Sequence, residues 1–297
     1  MQTTGPISLF NVQEEFGGTN PIGINEYYNS ASGIPSSGLI SLADFYGTSN
    51  AYDASTASGA SVINGQSNLK EIVLSDYVSA GGTFLIPEGF WIWSDSTGTP
   101  AIKVNVANVT IENYGKIIGK GGSGAAGWSG SGQAGGPAIN ITASGVTINN
   151  YNNAYIAGGG GGGAISDGGS GSGGGGGGGA GGGGSGGQLN GYGYTNPHNS
   201  GGQGGGAGGG GGTYGVDWAG GGWWAGHGGG GGRILPGSGG GNGGSAGNPG
   251  GNATHGGGGG WGARGGQAGS YPGGVGGAAI SGTSRTLNNS GTVYGSV

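Results

Sequence analysis

Cysteine is absent from the chain, so neither disulfides nor thiolate metal sites hold it together, which fits assembly in a reducing cytoplasm. Charge is scarce: seven Lys and Arg stand against twelve Asp and Glu. A nucleic-acid binder needs a basic stripe to neutralise phosphates and release counterions, and so few scattered cations exclude that class. Long apolar runs are also missing. The opening "MQTTGPISLF" has no basic region followed by an apolar stretch, so neither a signal peptide nor a membrane span is expected.

Glycine fills the gap. It supplies 93 of 297 residues, several times the roughly 7% usual in soluble proteins, and this excludes a single ordinary globular domain. Fourteen glycines precede Ile118 and the other 79 begin at Gly119, which draws a boundary near Lys120. Charge divides there too. Ten acids and four lysines lie up to Lys120; beyond it Asp167 and Asp217 face Arg233, Arg264 and Arg285.

Two similar blocks open the chain, "GPISLFNVQEEFG" from Gly5 and "GLISLADFYGTS" from Gly38. Their Ile-Ser-Leu alternation after a turn-prone glycine reads as a short strand or extended hook. With few large apolar groups, this segment is expected to form a weak core and to pack against something else. From Leu69 to Ile118 the segments "LKEIVLS", "FLIPEGFWIW", "AIKVNV" and "NVTIENYGKIIG" are β-prone. "NLKEIVLSDYVSAGG" also reads as a helix ending at Gly81, so both readings stay open there.

An internal repeat follows. "VTIENYGKIIG" (109–119), "VTINNYNNAYIAG" (146–158) and "RTLNNSGTVYG" (285–295) share a Thr-apolar pair, an Asn two places on, a turn and an apolar pair before Gly. Their upstream flanks "PAIKV", "PAINI" and "AAIS" agree as well. Three copies of one strand-turn-strand unit imply stacked coils of a small solenoid, with glycine-rich excursions between copies.

Ordering the excursions is costly, since fixing each backbone loses about 1–2 kcal/mol and glycine loses more than other residues. The polyproline-II conformation offers an offset, because its outward N–H and C=O groups pair with neighbouring chains. Where every residue is glycine the chains approach closely enough, and each bond contributes about 0.5–1.5 kcal/mol net. Runs near 168–187, 201–212, 219–232, 238–251 and 256–269 have comparable lengths, as parallel-packed rods require. The bulky segments between them, such as "QLNGYGYTNPHNS", "TYGVDW", "RILPGS" and "SYPGG", read as turns collected at the ends of the bundle. Aromatic and Arg side chains on a rigid frame are what binding hot spots use. Tyr192, Tyr194, Trp218, Trp223, Trp224, Arg233, Trp261 and Tyr271 are therefore the candidate receptor contacts, the competing reading being that they cover the sides of the bundle.

At "GLISLADFYG", "NVTIENYGKIIGKGG" and the glycine runs closed by "LNNSGTVYG", the sequence resembles tail-fibre proteins of tailed bacteriophages, its glycine-rich part looking like the distal adhesins of T-even-like phage fibres. The resemblance implies tip loops that contact a bacterial surface receptor, an outer-membrane protein or polysaccharide. It also implies an N-terminal part that docks on other virion tail proteins, in a virion component assembled in the host cytoplasm. A homotrimer is one arrangement open to it.

Other chemistry finds little support. Polysaccharide cleavage typically uses two carboxylates flanking the bond, and past Lys120 only Asp167 and Asp217 remain, far apart. His198, His227 and His255 lack the spacing of a ligand motif. "GKIIGKGG" is not a P-loop, and glycine runs this irregular exclude collagen. No cofactor and no enzymatic activity are expected. An ice-binding bundle would need a flat regular face, which the bulky turns argue against.

The predicted fold is therefore β plus polyglycine-II: a small β-solenoid-like platform carrying a bundle of polyglycine type II helices, with an extended N-terminal attachment segment. Its boundaries are 1–55 for the attachment segment and 56–157 for the platform, with a first excursion at 119–136. The bundle takes 158–278 and the closing β-unit 279–297.

Overall fold

A computed structural model of the chain describes residues 4–18, 20–21, 23–28, 30, 34–46, 51–63, 66–125, 129–166, 251, 256–282 and 284–297. The N-terminal blocks differ from the sequence expectation. Ser8 is not in a strand; it caps helix α1 (Leu9–Phe16), its hydroxyl accepting from the Asn11 N–H at 3.2 Å while the Asn11 side chain accepts from the Ser8 N–H at 2.9 Å. Ser41 opens the 3-10 turn Leu42–Phe45 with one half of such a cap, donating its N–H to Asp44 Oδ2 at 2.7 Å while the Asp44 N–H donates to the Ser41 carbonyl. A third turn, Ile24–Tyr27, is closed by Gly23 N–H on Glu26 Oε1. An alternating Ile-Ser-Leu looks like a strand, but a polar side chain three residues after the serine completes a reciprocal cap and decides for the helix. These turns also build a small core of their own. Val12, Tyr27, Ile34 and Phe45 are buried, and Phe16, Tyr27 and Phe45 meet with ring centroids 5.7 to 6.3 Å apart.

The β-part begins with β1 (Ala51–Asp53), β2 (Ser61–Ile63) and β3 (Gln66–Lys70), of which β2 and β3 form an antiparallel hairpin. Four turns of one repeating path follow: β4 (Ile72–Val73), β5 (Thr83–Ile86), β6 (Trp91–Trp93); β7 (Ile102–Val104), β8 (Thr110–Asn113), β9 (Lys116–Ile118); β10 (Ile139–Ile141), β11 (Val146–Asn150), β12 (Tyr155–Ala157); and β13 (Ile280–Gly282), β14 (Arg285–Asn289), β15 (Thr292–Tyr294). Each turn adds one strand to each of three sheets. Sheet I runs β4-β7-β10-β13, sheet II β1-β5-β8-β11-β14 and sheet III β2-β3-β6-β9-β12-β15, all parallel except the hairpin. "NLKEIVLSDYV" is thus β3, β4 and a 3-10 turn at Leu74–Asp76, not a helix. Glu71 stands between them with φ 51°, a left-handed kink that breaks any helical continuation.

The sequence repeats lie side by side, in register. Ile72, Ile102, Ile139 and Ile280 are aligned in sheet I, Phe84, Ile111, Ile148 and Leu287 in sheet II, and Leu69, Ile92, Ile117, Ile156 and Val293 in sheet III. These columns are the main core, and each large side chain so buried contributes about 1.5–3 kcal/mol. Parallel in-register stacking needs the same residue type at the same station in each turn, which is why the repeat is visible in the sequence. The shared Asn has its own ladder. Asn113 Nδ2 donates to Asn150 Oδ1 and Asn150 Nδ2 to Asn289 Oδ1, both at 2.7 Å, with Asn113 and Asn150 buried at the corner after sheet II.

Asn150 is itself buried and bonds a buried Asn113 on one side and an exposed Asn289 on the other, so Asn150→Ala leaves the buried Asn113 amide without its mate. We expect a loss of about 1–3 kcal/mol in urea unfolding, whereas Asn152→Ala, exposed in the next turn, changes stability by less than about 0.5 kcal/mol.

Candidate functional site

All the lengthening of the chain occurs at the corner from sheet III to sheet I. It is spanned by Glu71 alone in the first turn, by residues 94–101 in the second, by 119–138 in the third and by 158–279 in the fourth. Both glycine-rich excursions therefore leave from and return to adjacent layers of one edge, and their backbones meet.

Segment 158–164 is the centre of that meeting. Gly119, Gly122 and Ala125 donate N–H bonds to the carbonyls of Ala157, Gly160 and Gly163 at 2.8 to 2.9 Å. Gly159 and Gly162 donate to Gly136 and Gln133, Gly161 and Ala164 to Ala263 and Gly266. Gly262, Gly259 and Gly256 donate in turn to Gly158, Gly161 and Ala164, and Gly277 and Gly274 to Gly159 and Gly162. Every one of these series advances by three residues. So does the packing. A Cβ on any glycine from Gly158 to Gly163 would land 1.8 to 2.0 Å from a carbonyl oxygen: that of Gly277 or Gly274 for Gly158 and Gly161, of Lys120 or Ser123 for Gly159 and Gly162, and of Gly259 or Gly256 for Gly160 and Gly163. A segment whose neighbours change by a third of a turn per residue, and which has no room for a side chain, is bonded laterally in three directions at once.

The base of this layer is fixed by Trp261, which is fully buried. Its ring packs edge-on against Trp91 at 6.3 Å and Tyr155 at 6.1 Å and lies 6.2 Å from Tyr294, over Ile118 and Ala157 on the outer face of sheet III. That cover explains why Trp91, Ile118 and Ala157 are buried on a face that would otherwise meet water. Gly262 follows with φ 65°, where a Cβ would meet Gly295 N at 2.3 Å, so only glycine fits the turn behind the ring. Lys116 stands in the same cluster, Nζ 5.0 Å from the Trp91 ring and 5.7 Å from that of Tyr155. Burial pushes its ammonium below the usual lysine range, with Glu88 opposing. Trp261 is thus corrected as a receptor contact: it has no exposed surface, because the aromatic outer face of sheet III covers it.

The opposite end of the layer gathers other residues. Gly130 and Ile165 form a bridge, Gly256 donates to Ala164, Gly257 to Gly251, and Gly269 stands against Ser166. Ala268 and Tyr271 close the turn between outgoing 263–267 and returning 272–278 by exchanging N–H bonds at 2.9 and 3.0 Å. Tyr271 is about one-third exposed there. Tyr192, Tyr194, Trp218, Trp223, Trp224 and Arg233 lie outside the described residues, as do His198, His227, His255, Asp167 and Asp217. The described residues flanking the long stretch, Ser166 and Gly251, are both at this far end.

Sheet II presents a separate surface. Thr83, Thr110, Thr147 and Thr286 are in register on its outer face, followed two residues on by Leu85, Glu112, Asn149 and Asn288. Asn149 Nδ2 donates to Glu112 Oε1, and Asn288 Nδ2 to Asn149 Oδ1, both at 2.8 Å. Beyond the strands Tyr114 and Tyr151 stack with centroids 4.1 Å apart and planes 4° from parallel. Glu112 and the Tyr114 hydroxyl push the Tyr151 phenol well above its ordinary value, so it stays neutral. Among the described residues no group of three or more His, Asp or Glu gathers as metal ligands.

The geometry is that of a stacked β-coil with a layer of laterally bonded backbone at one corner. The chain belongs to the phage tail fibre adhesin Gp38 family, whose sequence model matches residues 50–297, and is accordingly a component of the virion tail. The crystal structure of the gp37-gp38 adhesin tip complex of the bacteriophage S16 long tail fibre is similar to it, with 21% identity, 99% of each chain covered and a TM-score of 0.49. No curated protein sequence matches the chain.

Two substitutions test the layer and its anchor. Gly162→Ala forces a methyl into the Ser123 carbonyl and should cost about 1–3 kcal/mol in thermal unfolding, whereas Gly98→Ala, whose Cβ meets only Ser96 Oγ at 3.8 Å, should be silent. Trp261→Ala empties the cavity between Trp91, Tyr155 and Tyr294 and should cost about 3–5 kcal/mol, read by urea unfolding followed through tryptophan fluorescence.

Proposed function

We propose that the protein is the receptor-binding adhesin of a phage tail fibre. In this reading the glycine segments are polyglycine-II rods, the coiled β-part is a short solenoid platform, and the loops at the far end of the rods touch a host surface receptor. Residues 1–55, of which 1–49 lie outside the region that matches the family and hold a small core of their own, serve as the segment that docks on another virion protein.

One observation carries the reading: lateral hydrogen bonds and close contacts recur every third residue along 158–164, the period of a helix with three residues per turn and no internal bonds. Rods of that kind are stiff because each is bonded to several neighbours. Both described flanks of 167–250 stand at the end remote from Trp261, which supports assigning Tyr192, Tyr194, Trp218, Trp223, Trp224 and Arg233, with Tyr271, to receptor contact. Aromatic rings and a guanidinium on a rigid frame lose little freedom on binding and desolvate large areas.

Phage carrying Trp223→Ala, Trp224→Ala and Arg233→Ala together should adsorb at least about tenfold more slowly to host cells, with particle assembly and amide exchange across 158–164 unchanged. Normal adsorption by this variant would instead identify the protein as a structural tail component in which polyglycine acts as a spacer.

A further inference from the structure

The outer face of sheet II is remote in the coil from the corner that carries the glycine layer, and its side chains form three rows. The threonine row offers hydroxyls with no partner among the described residues. Next to it the Glu112–Asn149–Asn288 row is a chain of amides anchored on a carboxylate, ending at an exposed Asn288. Beyond that stand the Tyr114 and Tyr151 rings, Tyr114 being 40% exposed. Rows within a strand are about 6.6 Å apart and turns about 4.8 Å apart. Aromatic face and amides therefore fall within the span of one small ring, and the hydroxyls, about 13 Å from the aromatic row, within reach of a second ring linked to it.

The stack of tyrosines stops at Ser290. Tyr114, Tyr151 and Ser290 are equivalent stations, donating N–H bonds to Ile86, Asn113 and Asn150 respectively. A ring at the third station would continue the stack; serine puts no ring over Tyr151, which is part-exposed. We infer that this place is a binding site for neutral hexopyranose units of a surface glycan, one stacking its C–H face on Tyr151 and hydrogen-bonding to the amide row, the next reaching the threonine hydroxyls. The charge pattern selects for such a ligand. Glu112 is the acidic residue of the rows and none of their positions holds a Lys or Arg, so nothing there pairs with phosphorylated, sulfated or uronic saccharides. An aromatic face supplies apolar contact and the flanking polar groups supply orientation. The site is lateral, on the sheet that faces away from the corner carrying the glycine layer.

The test uses the full chain on an array of neutral hexose and N-acetylhexosamine oligosaccharides, with heparin oligosaccharides as the anionic control. Wild-type protein should bind neutral members and not heparin. Tyr151→Ala should weaken binding about tenfold or more, while Tyr151→Phe, which keeps the ring, should retain most of it. Ser290→Tyr fills the open station and should block binding as fully, with an unchanged or raised melting temperature that separates a blocked site from a damaged fold. Gly98→Ala should leave array binding intact. Failure to bind any neutral member, or undiminished binding by Ser290→Tyr, would show the tyrosines to be a structural stack only and overturn the proposal.

Discussion

Everything in the glycine-rich part depends on one constraint: a backbone amide removed from water must find a partner, and a chain without side chains can bring that partner to within a hydrogen bond's length on several sides. In an ordinary core the side chains hold backbones apart and the amides pair along strands or within helices. At Gly119, Gly122, Gly132, Gly135 and 158–163 the carbonyl of one segment stands where another residue's Cβ would be. Each N–H contributes little net free energy and each glycine gives up more entropy than any other residue. The balance closes only because one segment shares bonds with several neighbours, so the entropy lost in fixing it is offset more than once. An isolated excursion of this composition would have no such return.

This explains where the excursions arise. They grow from one corner, in successive turns of the coil, and so begin and end beside one another at the spacing of the sheet below. The β-stack supplies the first rank of aligned backbones, with Gly119 bonded to Ala157 and Gly158 to Tyr294, and later segments are laid on it. An excursion from another corner would start without neighbours. The gradation from Glu71 through 94–101 and 119–138 to 158–279 fits growth by insertion at a site where new backbone is already templated.

What the sequence could disclose follows from the same physics. The coil was legible because in-register stacking repeats chemistry: Ile111, Ile148 and Leu287 share a column, and the recurring Asn proved to be a side-chain ladder. The capped turns at Ser8 and Ser41 were misread because alternation was weighed above the reciprocal cap, although Asn11 and Asp44 stood three residues on. Trp261 was misassigned for a deeper reason. Its sequence neighbours are glycines, and nothing local distinguishes a tryptophan presented to solvent from one folded back on a distant aromatic face. Trp91, Lys116, Tyr155 and Tyr294 define that face only once the turns are stacked. The threonine row is regular in the sequence, within the repeats at Thr110, Thr147 and Thr286, yet its exposure depends on which strand face turns outward.

The burial of Trp261 also bears on how such a scaffold can present anything at all. Backbone layers bonded by amides alone have no side chains to set their orientation against the stack beneath, and a glycine chain returning to the platform could meet it at many angles. A large ring inserted among three others, followed by a glycine held at positive φ, admits one entry angle for the chain. From there 263–267 runs outward again, and the orientation set at the base is carried to the turn at Ala268–Tyr271 by bonds to Gly161, Ala164 and Gly274. The lateral bonds come from glycine and the direction from one tryptophan.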